Sequence, residues 1–113
     1  MSSSLGWISI SHEAVAHIVG RVAAEAYGVV GMAARNPRDK LLTRDRLRQG
    51  ITVGGSADEG VTIELHVVIE YGLNLAEVAS TLRNRVQYEV ERLTGLPVAE
   101  VEVRIQDVKK STA

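Results

Sequence analysis

The chain has 113 residues, with 13 basic and 14 acidic side chains and a formal net charge of -1. This size fits one compact domain, and the balanced charge argues against a protein that coats nucleic acid along its whole surface. Cysteine is absent, which excludes disulfide scaffolds, thiolate zinc sites and cysteine nucleophiles.

No targeting segment or membrane span is recognisable in the sequence. Residues 1–6 lack the basic start and apolar run of a signal peptide. No apolar stretch approaches the roughly 20 residues that a membrane helix needs. The cytoplasm is therefore the expected location, and a partner could also hold the protein at the inner face of the membrane.

The N-terminal part of the chain predicts a strand followed by an amphipathic helix. Residues 6–10 (Gly-Trp-Ile-Ser-Ile) are rich in β-preferring side chains, and Ser11 is a suitable N-cap for the helix. Apolar residues at three- and four-residue steps indicate its buried stripe: Val15, Ile18, Val19, Val22 and Ala26. Gly28 ends the helix, and residues 29–32 (Val-Val-Gly-Met) are predicted to form an apolar turn.

Residues 35–48 differ in composition from the rest of the chain and are interpreted as an exposed basic loop. Against two aspartates the loop carries six basic side chains: Arg35, Arg38, Lys40, Arg44, Arg46 and Arg48. It could contact an anionic surface such as lipid headgroups, RNA or an acidic partner protein. The simpler interpretation, which is favoured, is a solvated loop that balances acidic residues elsewhere. The loop has no aromatic side chain for base stacking, which disfavours a nucleic-acid partner.

The strongest strand pattern follows a predicted hairpin. Residues 51–54 begin a strand, and residues 55–60 have the composition of a hairpin loop. Apolar side chains then occupy every second position: Val61, Ile63, Leu65, Val67, Ile69 and Tyr71. The side chains between them are Thr62, Glu64, His66, Val68 and Glu70. A period of two predicts a sheet with one buried face.

A second helix and a final strand complete the pattern. Asn74 followed by Glu77 is a variant of the capping box. The helix has an apolar stripe at helical spacing: Leu75, Val78, Leu82, Val86, Val90 and Leu93. Residues 94–97 (Thr-Gly-Leu-Pro) end it. The final strand is indicated by apolar residues that alternate with polar ones: Val101, Val103 and Ile105.

The predicted order, β-α-β-β-α-β, indicates an α+β fold. Two amphipathic helices and a small sheet bury their apolar sides most simply as a two-layer sandwich with both helices on one face of the sheet. A ferredoxin-like split topology is favoured, because both β-α-β crossovers can then be right-handed. One domain is expected over residues 1–113, with its core at about residues 6–108.

Patterns that could support catalysis or bind a metal do not have the required spacing. His12 and His17 are five residues apart, whereas a metal-binding pair on a helix is four apart, so that both rings lie on one face. His66 is interpreted as a surface histidine. The glycines at 28 and 31 have the G-x-x-G form of a nucleotide-backbone clamp but enclose two valines instead of basic residues. No catalytic residue, cofactor or metal site is predicted.

Several short segments, taken together, carry a family resemblance. They follow one another over nearly the whole chain: Ile-Ser-Ile-Ser at 8–11, Ala-Tyr-Gly-Val-Val-Gly-Met at 26–32, Gly-Ile-Thr-Val at 50–53, Ile-Glu-Tyr-Gly at 69–72, Thr-Gly-Leu-Pro-Val at 94–98 and Val-Glu-Val-Arg-Ile-Gln-Asp-Val at 101–108. The chain resembles the alkaline shock protein 23 family, including its YloU-like envelope stress response members. The resemblance implies a non-enzymatic role in envelope stress and homeostasis, in some members through a membrane-anchored partner. It supplies no catalytic residues.

The leading hypothesis is an interaction or scaffolding protein that forms a homo-oligomer or binds a membrane-anchored protein. A sheet with helices on one side leaves its other face and its edges available. The predicted self-association face consists of Thr62, Glu64, His66, Val68 and Glu70. The alternative is a binder of RNA or anionic surfaces through the basic loop. Enzymatic activity is the hypothesis that the residues support least.

Overall fold

A computed structural model describes residues 12–33, 50–56 and 58–110. Its helices and strands, in chain order, are α1 (His12–Glu25), β1 (Val29–Met32), β2 (Ile51–Ser56), β3 (Gly60–Glu70), α2 (Leu75–Thr94) and β4 (Val98–Lys109). The predicted strand at residues 6–10, the cap at Ser11 and the basic loop at residues 35–48 lie outside the described residues.

The sheet is built around β3. Strand β4 pairs with it in parallel along almost its whole length, from Val61 beside Val98 to Glu70 beside Lys109. Strands β1 and β2 are both antiparallel to β3 and share its other edge, β2 along residues 60–65 and β1 along residues 67–69. The sheet is therefore mixed, and β1 and β2 form two halves of one edge strand.

The two halves of this edge strand meet beside His66. The N–H of Ala33 donates to the carbonyl oxygen of His66 at 2.9 Å, and Ile51 pairs with Leu65. The backbone of Gly50 passes so close to Ala33 that an added Cβ would lie 2.5 Å from the Ala33 carbonyl oxygen. Residues 33 and 50 therefore lie side by side at one point on the edge of the sheet.

Residues Val29–Met32 form strand β1, so the prediction of an apolar turn is wrong. Val29 pairs with Ile69 and Met32 pairs with Val67, with a shift of register between them. The N–H of Glu70 extends this pairing by donating to the Gly28 carbonyl oxygen at 2.8 Å. A four-residue segment is too short for an alternation that would indicate a strand.

The helices cover one face of the sheet, as predicted. The odd-numbered side chains of β3 enter a single core cluster with the apolar stripes of both helices. Its main contributors are Val15, Val19, Val22, Ile63, Leu65, Val67, Ile69, Val78, Leu82, Val86 and Val90. The two-layer α+β architecture is therefore confirmed.

The predicted strand order is not found in the β3-α2-β4 unit. A split β-α-β unit has another strand between its two parallel strands. Here β3 and β4 are direct neighbours, joined by a helix as parallel pairing requires. The split topology is therefore wrong for this unit. Sequence patterns show which face of a strand is buried but not which strand lies beside it.

Helix α2 begins and ends where the sequence predicts. The side-chain Oδ1 of Asn74 accepts a hydrogen bond from the N–H of Glu77 at 3.0 Å. At the other end Gly95 adopts a left-handed conformation with φ of 75°, and its N–H donates to the Glu91 carbonyl oxygen. No helix within the described ranges is long and apolar enough to cross a membrane.

Candidate interaction face

The sheet face turned away from both helices carries the predicted self-association residues. It consists of the even-numbered side chains of β3, of the β4 side chains that lie beside them in the parallel register, and of Gln106, which contacts the His66 ring. We call this surface the open face: Thr62, Glu64, His66, Val68, Glu70, Glu100, Glu102, Arg104, Gln106, Asp107 and Lys109.

Three charged side chains are linked across β3 and β4 on the open face. Arg104 donates from Nε to Glu64 Oε2 at 2.7 Å, and its Nη2 lies 3.0 Å from Glu102 Oε2. Glu64 and Glu102 are direct neighbours in the parallel register, and two carboxylates in that position repel each other. Arg104 offsets this repulsion, and the three side chains remain 31–52% exposed.

His66 is buried on the open face, so its interpretation as a surface histidine is wrong. Only 6% of the residue is exposed. Its Nδ1 lies 2.7 Å from the amide nitrogen of Gln106. If this amide donates, the neutral ring carries its proton on Nε2. The ring is thus fixed by a residue 40 positions away on β4.

The other ring nitrogen of His66 lacks an aligned partner. Nε2 lies 3.1 Å from Glu64 Oε2, but the geometry is not that of a hydrogen bond, and the buried Nε2 has no hydrogen-bond partner within the part of the chain that the structure describes. The contact between His66 Nε2 and Glu64 Oε2 is therefore short, but its angles do not suit a hydrogen bond.

The accessible part of the open face is charged and not apolar. Val68, which the sequence suggests as an apolar contact, is buried at 3% exposure. Thr62 is exposed, and Glu64 and Glu70 are half-buried. The accessible groups therefore cluster around Glu64, Glu102 and Arg104, of which only Glu64 is among the self-association residues predicted from sequence.

The remaining predicted sites are separate from this cluster. His12 and His17 are exposed on α1. Among the described residues, no group of three or more His, Asp or Glu side chains is arranged to hold a metal ion. The G-x-x-G pair is divided between the turn at Gly28 and strand β1 at Gly31. The six basic loop residues from Arg35 to Arg48 lie outside the described residues.

Two tyrosines at one end of the sheet are exposed, and the sequence pattern does not predict their exposure. Tyr71 continues the apolar alternation of β3, yet it is exposed because the strand ends at Glu70. Lys110 Nζ lies 5.8 Å from its ring centroid, which is within cation–π range. Tyr27 is also exposed, and its neighbour Gly28 accepts a hydrogen bond from Glu70.

On α2, an ion pair with Glu89 raises the pKa of Arg92. The hydrogen bond from Arg92 to Glu89 at 2.7 Å, together with the charge of that carboxylate, raises the pKa of Arg92 above its ordinary value. Arg92 therefore remains cationic throughout the physiological pH range.

The chain is similar over residues 1–110 to a protein family with a cell envelope-related function. Residues 1–110 match the model of the alkaline shock protein 23 family, which is described by a cell envelope-related function. The chain is 30% identical to YloU of Bacillus subtilis (strain 168) over 113 residues, covering 96% of this chain and 93% of that protein. It is 33% identical to Spy1614 of Streptococcus pyogenes serotype M6, covering 92% and 88%. The chain belongs to the alkaline shock protein 23 family.

A longer relative has a name that refers to stress. The chain is 28% identical over 111 residues to a stress response regulator gls24 homolog of Streptococcus pyogenes serotype M3. The match covers 96% of this chain but 62% of that protein. The shared part therefore corresponds to this domain and not to the whole of the relative.

Solved structures of the MamM CTD have a similar fold. One variant superimposes with a TM-score of 0.53 at 15% identity, covering 86% of this chain and 99% of that chain. A nickel form of another variant gives 0.51 at 13% identity, covering 84% and 96%. This likeness agrees with the α+β architecture and concerns the fold alone.

Proposed function

We propose that this protein is a non-enzymatic interaction or scaffolding protein of envelope stress or homeostasis, which self-associates or binds a membrane-anchored partner. Its membership of the alkaline shock protein 23 family and the stress-related name of a relative support the biological setting. Partner binding is supported by the linked, accessible charges of Glu64, Arg104 and Glu102 on the open face. The protein acts in the cytoplasm, at the inner face of the membrane when its partner is there.

The open face suits partner binding because its charges are already ordered. Side chains that are fixed before association lose less conformational entropy when a partner binds. Glu64 and Glu102 share one arginine, which leaves an excess of negative charge at this place. Complementary charge gives an interface its specificity and speeds its formation. The partner is therefore expected to present basic side chains to the open face.

Affinity purification from the native cell tests this function, with the membrane and soluble fractions separated. The wild-type protein is compared with Glu102→Lys, which reverses one charge of the open face. The control variant is Glu77→Lys, which reverses a charge at an exposed position of α2. We expect an envelope protein or further copies of the chain to be recovered with the wild type and the control, and much less with Glu102→Lys. Recovery of cytosolic RNA-processing proteins alone would contradict the envelope assignment.

A second candidate function is the binding of RNA or an anionic surface through the basic loop. The close approach of Gly50 to Ala33 favours it, because both residues that flank the basic loop then lie at the same edge of the sheet. Binding through these charges must weaken steeply as salt is raised. The six residues that would make the contact are Arg35, Arg38, Lys40, Arg44, Arg46 and Arg48.

Neutralisation of the basic loop tests this candidate. A variant with these six residues changed to Gln is compared with a control in which Arg83 and Arg85 of α2 are changed to Gln. Binding to an RNA and to acidic vesicles is measured at rising salt. The candidate predicts that the loop variant loses binding and that the control retains it. Equal binding by both variants would eliminate the candidate.

A further inference from the structure

We propose that β4 pairs edge to edge with β4 of a second copy of this chain, antiparallel and about a two-fold axis through Val103. The inference rests on the proposed self-association and assigns it to one surface and one register. The paired copies form one continuous sheet, with their helices on the same side.

Strand β4 has the length and position for this pairing. It extends over 12 residues, Val98–Lys109. One of its edges is occupied by β3, in a regular register over residues 100–105 between two register shifts. Within the ranges that the structure describes, no strand pairs with its other edge. Unpaired N–H and C=O groups along a strand edge are a template for the addition of another strand.

The residues of β4 distinguish one register from its neighbours. A two-fold axis at Val103 places Arg104 opposite Glu102 of the second copy, and this attraction occurs twice. On the core side it places Val101 opposite Ile105 of the second copy, and Val103 opposite its own counterpart. Opposite charges and apolar pairs in these positions stabilise an antiparallel ladder.

The neighbouring registers bring like charges together. An axis at Arg104 places that arginine opposite itself. An axis at Glu102 places that glutamate opposite itself, although it also places Arg104 opposite Glu100; only the axis at Val103 combines opposite-charge pairs with no like-charge pair. Like charges directly opposite each other destabilise a ladder. Of the three registers centred in the middle of β4, the one at Val103 is therefore favoured.

Arg104 can bind the second copy without losing its own partners. It uses Nε towards Glu64 and Nη2 towards Glu102, whereas a guanidinium has five N–H donors. Its side chain is 52% exposed. Because one strand edge buries less surface than a standard protein interface, the pairing forms a weak dimer that depends on concentration.

Disulfide cross-linking of single-cysteine variants tests the register, since the chain has no cysteine of its own. Val103→Cys is compared with Ile105→Cys, a half-buried position on the same side of the same strand. In the proposed register the Cα atoms of the two introduced cysteines at position 103 would lie about 5 Å apart, within disulfide range. The two positions at 105 are four residues out of step and about 14 Å apart. We expect rapid dimer formation by Val103→Cys and little by Ile105→Cys.

Sedimentation of charge variants provides a second readout. Arg104→Glu places two carboxylates opposite each other, and we expect it to weaken dimerisation at least about fivefold. The double exchange Glu102→Arg with Arg104→Glu restores opposite charges and should restore dimerisation. Circular dichroism of each variant confirms that it folds.

The outcomes separate this inference from the proposed function. If the wild type dimerises but both cysteine variants cross-link slowly, or Ile105→Cys reacts faster, the edge pairing at Val103 is overturned and self-association through another surface stands. If the β4 amides that point away from β3 are protected from hydrogen exchange equally at low and high protein concentration, the edge is covered within one chain and the inference is overturned. A wild type that stays monomeric at millimolar concentration contradicts self-association itself.

Discussion

Arg104 donates its Nε–H to Glu64 Oε2 at 2.7 Å across the parallel pair of β3 and β4, although the two residues are 40 positions apart in the chain. Both side chains are partly exposed, and an ion pair in this setting contributes little to stability. The value of this contact therefore lies in ordering the charges of the open face and not in holding the fold together.

A double-mutant cycle measures the contribution of this ion pair. We expect Glu64→Gln and Arg104→Gln to couple by about 0.2–1 kcal/mol in the free energy of unfolding, and less at high salt. Urea unfolding of the wild type, the two single variants and the double variant gives the coupling energy. A coupling of several kcal/mol would show that the contact supports the fold.

Truncation of Leu82 should destabilise the protein strongly. Leu82 is fully buried between α2 and the sheet, and Leu→Ala at such a site costs about 2–5 kcal/mol. Leu93 lies on the same helix but is 45% exposed, so Leu93→Ala should cost clearly less. Thermal and urea unfolding of the two variants makes the comparison. Equal losses would mean that the core is not where the structure places it.

Replacement of asparagine by alanine should have different effects on stability at the N-cap of α2 and in the interior of the same helix. Asn74→Ala removes the side-chain oxygen that accepts from the Glu77 N–H and should destabilise the protein by about 0.5–2 kcal/mol. Asn84 is exposed in the interior of the same helix, where alanine has the higher helix propensity. Asn84→Ala should therefore be neutral or slightly stabilising. The stability of both variants is read from urea midpoints, and loss of stability in both would argue against the cap.

The junction between β1 and β2 should tolerate no side chain at Gly50. A Cβ there meets the Ala33 carbonyl oxygen at 2.5 Å, a backbone atom that cannot rotate away, and forced overpacking costs about 1–3 kcal/mol. A Cβ at Gly54 meets only the hydroxyl of Thr62, at 3.0 Å. Gly50→Ala should therefore lower the melting temperature more than Gly54→Ala. The reverse order would contradict a close approach of the two half-strands.

Much of the fold can be predicted from sequence, because the spacing of apolar residues that indicates a helix or a strand is contained within that helix or strand. The period of two in β3, the stripe of α2 and its cap at Asn74 depend on residues close together in the chain. These elements and the placement of both helices on one face are confirmed.

Features that depend on distant residues could not be predicted in this way. The burial of His66 depends on Gln106, and the order of the charges depends on Glu64 and Arg104 being brought together by parallel pairing. Strand β1 carries too few residues to show a period, and its pairing with the end of β3 depends on the sheet edge left beside β2. The candidate face is therefore indicated by the alternation of β3, whereas its accessible centre is set by tertiary contacts.

The central claim is that the protein binds its envelope partner through the open face. The most direct test is the fraction of the protein that sediments with membranes from the native cell, measured for the wild type and for Glu102→Lys. The proposed function predicts that the wild type is recovered with the membranes and that Glu102→Lys, which reverses one acidic charge of the open face, shifts to the supernatant while remaining folded. Recovery of both proteins in the supernatant, or of both with the membranes in equal fractions, would contradict it.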